Sequence, residues 1–114
     1  MSKGLNEIQL IGNLGRDPEV KTTQSGKKLA KFSLGVNDYR DETTWVNVVA
    51  WEKKADLVWK YLAKGSKVYI SGRLQQNNYE RKDGTKAHRF SVVARNIIFL
   101  DGKKGDNYKE EEEF

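Results

Sequence analysis

Apolar and polar residues alternate along most of this chain, and the phase or period of the alternation changes at only a few places. From Asn6 to Leu14 the residues Ile8, Leu10 and Leu14 share one face of an extended segment. From Leu29 to Tyr39, the residues Ala30, Phe32, Leu34 and Val36 face one way, and Lys31, Ser33, Gly35, Asn37 and Tyr39 the other. Thr44 to Trp51 interleaves Val46, Val48 and Ala50 with Trp45, Asn47, Val49 and Trp51, so two tryptophans fall on one side. Lys67 to Tyr79 turns Val68, Ile70, Gly72 and Leu74 inward and Tyr69, Ser71, Arg73, Gln75, Asn77 and Tyr79 outward. Past Leu74 the inward positions hold Gln76 and Asn78, which predicts a strand that leaves the core and projects as an arm turned by Asp83-Gly84. The return strand, Lys86 to Leu100, rejoins the core at Phe90, Val92 and Ala94. Its parity slips near Asn96, because Ile97 to Leu100 are all apolar, and a bulge or a second buried surface accounts for the slip.

Between the third and fourth of these strands the period lengthens. Ala55, Val58, Trp59 and Leu62 stand at i, i+3, i+4 and i+7, which predicts an amphipathic helix over Lys53 to Lys64, ended by Gly65. Trp59 is assigned to packing on this stripe. Gly15 to Gly26 reads as a polar connection with a short extended piece around Val20. Gly12 and Gly15 form a G-x-x-G pair at a strand end with no helix after it, so a bulge or tight turn explains it better than a phosphate-gripping loop.

Five short antiparallel strands that must bury their edges suggest a small closed barrel. The order strand, strand, strand, helix, strand, strand is that of an all-β OB-fold: a five-stranded Greek-key barrel with a helix between strands three and four and a projecting strand 4–5 hairpin. Its binding face lies around strands two and three. The outward residues are then Lys31, Tyr39, Trp45, Asn47, Trp51, Tyr69, Arg73 and Tyr79. Aromatics interleaved with cations suit a single nucleic-acid strand, because phosphates attract the cations and unpaired bases offer flat faces to the rings. Duplex DNA needs an element that enters a groove, and the one helix here is short and half apolar.

Composition narrows this further. The 114 residues make one domain with 37% hydrophobic and 32% charged residues and no cysteine, which excludes disulfides, thiolate metal sites and cysteine nucleophiles. No apolar run approaches the length of a membrane span and the N-terminus lacks the core of a signal peptide, so a cytoplasmic location without a membrane partner is expected. The net charge of +5 is uneven. Six acidic against three basic side chains leave −3 on residues 101–114, and the 18 basic and 10 acidic residues of 1–100 leave +8. A basic body points to a polyanionic partner. The acidic end closes on Glu110, Glu111, Glu112, Glu113 and Phe114; such tails usually serve solubility, but a terminal aromatic does nothing for it, so a docking peptide is expected ahead of a solubilising tail.

N-E-I-Q-L-I-G-N-L-G-R-D-P-E-V (6–20), T-W-V-N-V-V-A-W (44–51), Y-L-A-K-G-S-K-V-Y-I-S-G-R-L (61–74) and the acidic Phe-terminated end together resemble the bacterial single-stranded DNA-binding proteins, over roughly residues 4–100 and again at the tip. The resemblance implies an OB-fold domain over 1–100, usually a homotetramer with a dimer as the alternative, that coats exposed single strands without sequence preference during replication, recombination and repair. It implies a flexible tail over 101–114 whose tip, Glu110 to Phe114, recruits replication and repair proteins, and it implies no cofactor and no metal. By position it assigns base stacking to Tyr39, Trp45, Trp51 and Tyr79, four residues the alternation already turns outward. Lys31, Asn47, Lys53, Lys64, Arg73 and Arg81 are the candidate phosphate and polar contacts. The chain departs from the family pattern in its arm, where Gln75, Gln76, Asn77 and Asn78 stand in place of cations, in Val46, where some members carry a histidine, and in a tip without an Asp run or penultimate proline.

Two rival functions share parts of this pattern. A nuclease needs carboxylates converging on a metal, for which Asp38, Asp41 and Glu42 are the candidates, without a nearby histidine base. His88, the single histidine, has no partner motif. A primosome-type or RNA-binding OB-fold protein would present the same aromatic and basic face.

Overall fold

The structure, a computed structural model, describes residues 3–100. Its strands are β1 (Ile8–Leu14), β2 (Glu19–Thr22), β3 (Lys28–Asn37), β4 (Thr43–Trp51), β5 (Lys67–Glu80) and β6 (Lys86–Phe99), with one helix, α1 (Lys53–Tyr61), between β4 and β5. The short extended piece expected around Val20 is β2, which forms a hairpin with β3 in the register Val20↔Ala30. Neighbouring strands run in the order β1-β5-β6-β4-β3-β2, and β1 also pairs with β3. The pairings therefore return on themselves through β1, β5, β6, β4 and β3, which leaves these five strands no free edge and sets β2 outside the ring. All the pairings are antiparallel except β4 with β6, which meet in parallel at Val48↔Val92 and Val49↔Val93. At the β1–β3 closure, a Cβ on Gly12 would stand 2.3 Å from the Gly35 carbonyl oxygen, so close approach, rather than a bulge or turn, is what this glycine supplies.

The inward parity of each strand converges on one core of Leu14, Ala30, Phe32, Leu34, Val48, Ala50, Val68, Ile70, Val92 and Ala94, to which α1 adds Ala55, Val58 and, just past its end, Leu62. The helix stops three residues earlier than the periodicity predicts. Leu62 turns extended (φ −108°, ψ 143°) to place its side chain in the core, where it is buried. The buried Ser66 hydroxyl accepts from the Ala63 N–H (3.0 Å), and Gly65, at φ +88°, makes the turn that follows. Trp59 is not core. Ala55, Val58 and Leu62 mark the buried direction at 100° per residue, Trp59 falls on its flank, and the side chain is 58% exposed.

The phase slip in β6 is a bulge. Ser71 pairs with Asn96 and Gly72 with Ala94, so Arg95 is the extra residue, and beyond it Ile97 and Phe99 return to the core side. The other end of β6 corrects the sequence. Phe90 has the parity of Val92 yet is 53% exposed, and Leu74, expected inward on β5, is also exposed. Alternation continues past the last core layer at Gly72 and Val92, and from Leu74 outward no opposing layer covers that face of the β5–β6 arm.

The loops after β1 and after α1 are tied to each other. The Asn13 side-chain amide donates to the Gly65 carbonyl (3.0 Å), Gly65 N–H donates to the Leu14 carbonyl (2.9 Å), Leu14 N–H to the Ser66 carbonyl (3.0 Å), and Lys64 N–H to Asp17 Oδ1 (2.8 Å). Pro18 is buried beside them.

Candidate nucleic-acid interface

Strand β4 carries the outward aromatics. Its register with β3 sets Trp45 opposite Gly35, Asn47 opposite Ser33, Val49 opposite Lys31 and Trp51 opposite Leu29. Trp45 is 61% exposed and Trp51 37%. Six residues apart on one strand, they stand about 20 Å from each other, room for several nucleotides. The Cζ3–Cη2 edge of the Trp45 ring packs close to the glycine backbone, since a Cβ on Gly35 would meet these two atoms at 2.9 Å. Most of the side chain is left to solvent.

Tyr39 stands in the β3–β4 turn and is 92% exposed. The Asp38 carboxylate shapes that turn by accepting from Arg40 N–H (2.8 Å) and Glu42 N–H (3.1 Å), while Asp41 takes φ 63°. The carboxylate that a metal site would need is thus engaged by backbone. Among the described residues no group of three or more His, Cys, Asp or Glu is placed to hold a metal ion. The Arg40 guanidinium carbon sits 5.4 Å from the Tyr39 ring centroid.

The sheet register also runs across strands. Lys31 opposes Val49, Val49 lies beside Val93, and Val93 opposes Arg73. These four residues form one row over β3, β4, β6 and β5, with a cation at each end and two valines between. Next to the row, a groove of about 560 Å³ opens between the β3–β4 face and the arm. It is lined by Lys31, Asn47 and Tyr79 from the expected set, and by Arg16, Asp17, Glu19, Asn77, Arg89, Phe90 and Ser91, which the sequence did not single out for binding. Tyr79 is 39% exposed. Arg89 is not evident from β5, where Gln75 to Asn78 are neutral and make the arm look uncharged. The register Asn77↔Arg89 brings the cation in from the return strand. The usable signal was parity, since Arg89 alternates with Ser91 and Val93 on the face opposite Phe90 and Val92.

The remaining candidates do not line the groove. Trp45, Trp51 and Arg73 lie on the same outer face beside it; Tyr39 stands at the tip of the β3–β4 turn, and Lys53 opens α1. Lys64 contributes its backbone N–H to Asp17 with its side chain exposed. Arg81 is in the arm's turn, where its Nη1 donates to Thr85 Oγ1 (3.4 Å). The tip, Glu110 to Phe114, lies outside the described residues.

Known proteins resemble this chain in sequence and in fold. The family model of the single-strand binding protein family matches residues 5–100. A single-stranded DNA-binding protein 1 of Staphylococcus aureus (strain MSSA476) is 42% identical over 113 residues, covering 94% of this chain and 72% of the relative. A protein of the same name from Chlorobaculum tepidum is 38% identical over 112 residues, covering 90% of this chain and 69% of its own. Among solved structures, that of the Plasmodium falciparum SSB in complex with ssDNA is similar with a TM-score of 0.79 at 33% identity, covering 89% of this chain and 99% of that one.

Proposed function

The chain belongs to the single-strand binding protein family, and from that premise we propose that it binds single-stranded DNA without sequence preference, as a coating protein and not as an enzyme. One observation carries the proposal. Two tryptophans on a single strand each leave a ring surface open on a face that continues into a groove carrying Arg16, Lys31 and Arg89. Rings take bases of any identity, and cations take phosphates, so neither half of the interface reads sequence. Tyr39, Trp45, Trp51 and Tyr79 are the stacking residues, with Lys31, Asn47, Lys53, Lys64, Arg73 and Arg81 as polar contacts. Titration with oligo-dT, followed by quenching of tryptophan fluorescence, tests this directly. Equal or tighter binding of a duplex of the same length overturns it, and an RNA of the same sequence as competitor separates DNA from RNA preference.

Replication, recombination and repair are the settings in which such a protein works, in the cytoplasm at the nucleoid. Assembly into a homotetramer is part of the proposal. It is supported by a second cross-strand row, Ile11 opposite Tyr69 opposite Ile98, which places two exposed aliphatic side chains and a half-buried ring on the outer face of β1, β5 and β6. The acidic tip is proposed as the docking segment for partner proteins. A pull-down with Phe114→Ala decides that point, since partner sets identical to wild type leave the tail only a solubilising role.

A further inference from the structure

Tyr79 and Arg89 are joined in a way that neither residue's position in the sequence announces. Tyr79 opposes Ala87 and Asn77 opposes Arg89, so the two stand diagonally across the arm on its groove face. Arg89 Nε–H donates to the Tyr79 hydroxyl at 3.2 Å, and the guanidinium carbon lies 5.0 Å from the ring centroid. Among the described residues no carboxylate forms an ion pair with Arg89, and its two terminal amino groups have no protein acceptor. The neighbouring acids do not fill that role: Asp17 accepts from Lys64 N–H, and Glu19 stands opposite Lys31.

A guanidinium held by one N–H, with its remaining donors turned to a groove, has the geometry for bidentate capture of an oxyanion. The Tyr79 ring beside it is partly exposed on the same groove, so a base on the ring has its phosphate within reach of the guanidinium. Resting on the single-stranded DNA reading above, we propose that Tyr79 and Arg89 form one nucleotide subsite at the arm. The base stacks on the Tyr79 ring while the terminal amino groups of Arg89 bind the phosphate of that nucleotide. Arg89 thereby supplies the contact that the neutral run Gln75 to Asn78 lacks. The bond to the Tyr79 hydroxyl sets the ring and the cation in one orientation before DNA arrives, so each depends on the other.

The test compares oligo-dT binding of wild type, Arg89→Gln, Arg89→Lys, Tyr79→Ala and the Arg89→Gln/Tyr79→Ala double variant over a salt series, with circular dichroism confirming the fold. Arg89→Gln is expected to weaken binding and to reduce the slope of log K against log salt by about 0.7, the value of one phosphate contact on a single strand. Arg89→Lys is expected to keep the slope but lose affinity, because lysine cannot bond the phenol and fork a phosphate together. The double variant is expected to lose less than the two single losses combined. If Tyr79→Ala weakens binding while Arg89→Gln matches wild type in affinity and slope, the subsite is wrong and the wider function stands. A loss of affinity in Arg89→Gln with an unchanged slope also overturns the phosphate contact, leaving Arg89 as a support for the ring. Wild type that fails to bind oligo-dT removes the function and the subsite together.

Discussion

A Cβ added to Gly15 would stand 2.5 Å from Cζ3 and 2.8 Å from Cη2 of Trp45, and nothing else closer than 3.5 Å would meet it. Gly15 is not in the left-handed region of backbone space, so alanine suits its conformation and the only obstacle is the indole. Gly15→Ala is therefore expected to fold normally and to lift the Trp45 ring from its floor. Single-stranded DNA affinity should fall by up to the full loss seen in Trp45→Ala, and adding Gly15→Ala to Trp45→Ala should cost nothing more. A double-mutant cycle by fluorescence titration checks this.

The two tryptophans of β4 should separate in their effects. Each truncation to alanine is expected to weaken oligo-dT binding by about 1–3 kcal/mol, the value of one stacked base. Trp51 is the less exposed and has the buried Leu29 across the strand, so Trp51→Ala should also lower the denaturation midpoint, whereas Trp45→Ala should leave it nearly unchanged. Paired urea melts and titrations of both variants measure the split.

Trp59→Ala is expected to cost well below the roughly 3–5 kcal/mol of a buried tryptophan, because its side chain stands on the flank of α1. Chemical denaturation of this one variant suffices. The reason the sequence pointed the other way is instructive. Spacing at i+3 and i+4 from a core residue is satisfied by both edges of an apolar stripe, and only the tertiary packing of α1 shows which edge is covered. Phe90 and Leu74 mislead for a related cause: parity says which face a residue is on, not whether anything packs against that face. Where a strand lies inside the barrel, as with Val48, Ala50, Ile70 and Val92, parity alone suffices. The motifs 12–18 and 64–66, the most recognisable part of the chain, bond to one another through Asn13, Leu14, Asp17, Lys64, Gly65 and Ser66. These bonds tie the two segments of the fold together, whereas Arg89 lines the groove from a position no motif marks.

Asp83 sets the rigidity of the arm's turn. Its carboxylate accepts from the Thr85 hydroxyl (2.7 Å) and the Thr85 N–H (2.9 Å), and these bonds hold its pKa below the ordinary 3.8. A carboxyl depressed in the folded state adds stability above its unfolded value and loses that contribution as pH falls through the lowered one. The turn should thus be unaffected near neutrality and loosen only below pH 3.8. Asp83→Asn should loosen it at neutral pH. Amide exchange at Thr85, followed by NMR across the titration, reports both.

Charge placed in the apolar row of β1, β5 and β6 should break assembly. Ile11→Glu or Ile98→Glu, both at exposed positions, is expected to leave the barrel folded and to reduce the native mass from that of a tetramer. Light scattering at micromolar concentration is the measurement, and a wild type that is already monomeric contradicts the proposed assembly.

The barrel's ring of strands closes between β4 and β6 through two parallel residue pairs, where the antiparallel β3–β4 and β5–β6 ladders run for most of their strands' length. That join and the two-pair β1–β3 closure are the shortest in the ring and divide β3 and β4 from β1, β5 and β6, and the row from Lys31 to Arg73 straddles the division with one cation on either side. A polyanion laid over the row fastens both halves at once, as a splint does a fracture. Such a ligand would act as a structural member of the barrel, and bound single-stranded DNA is expected to slow amide exchange along the β4–β6 join.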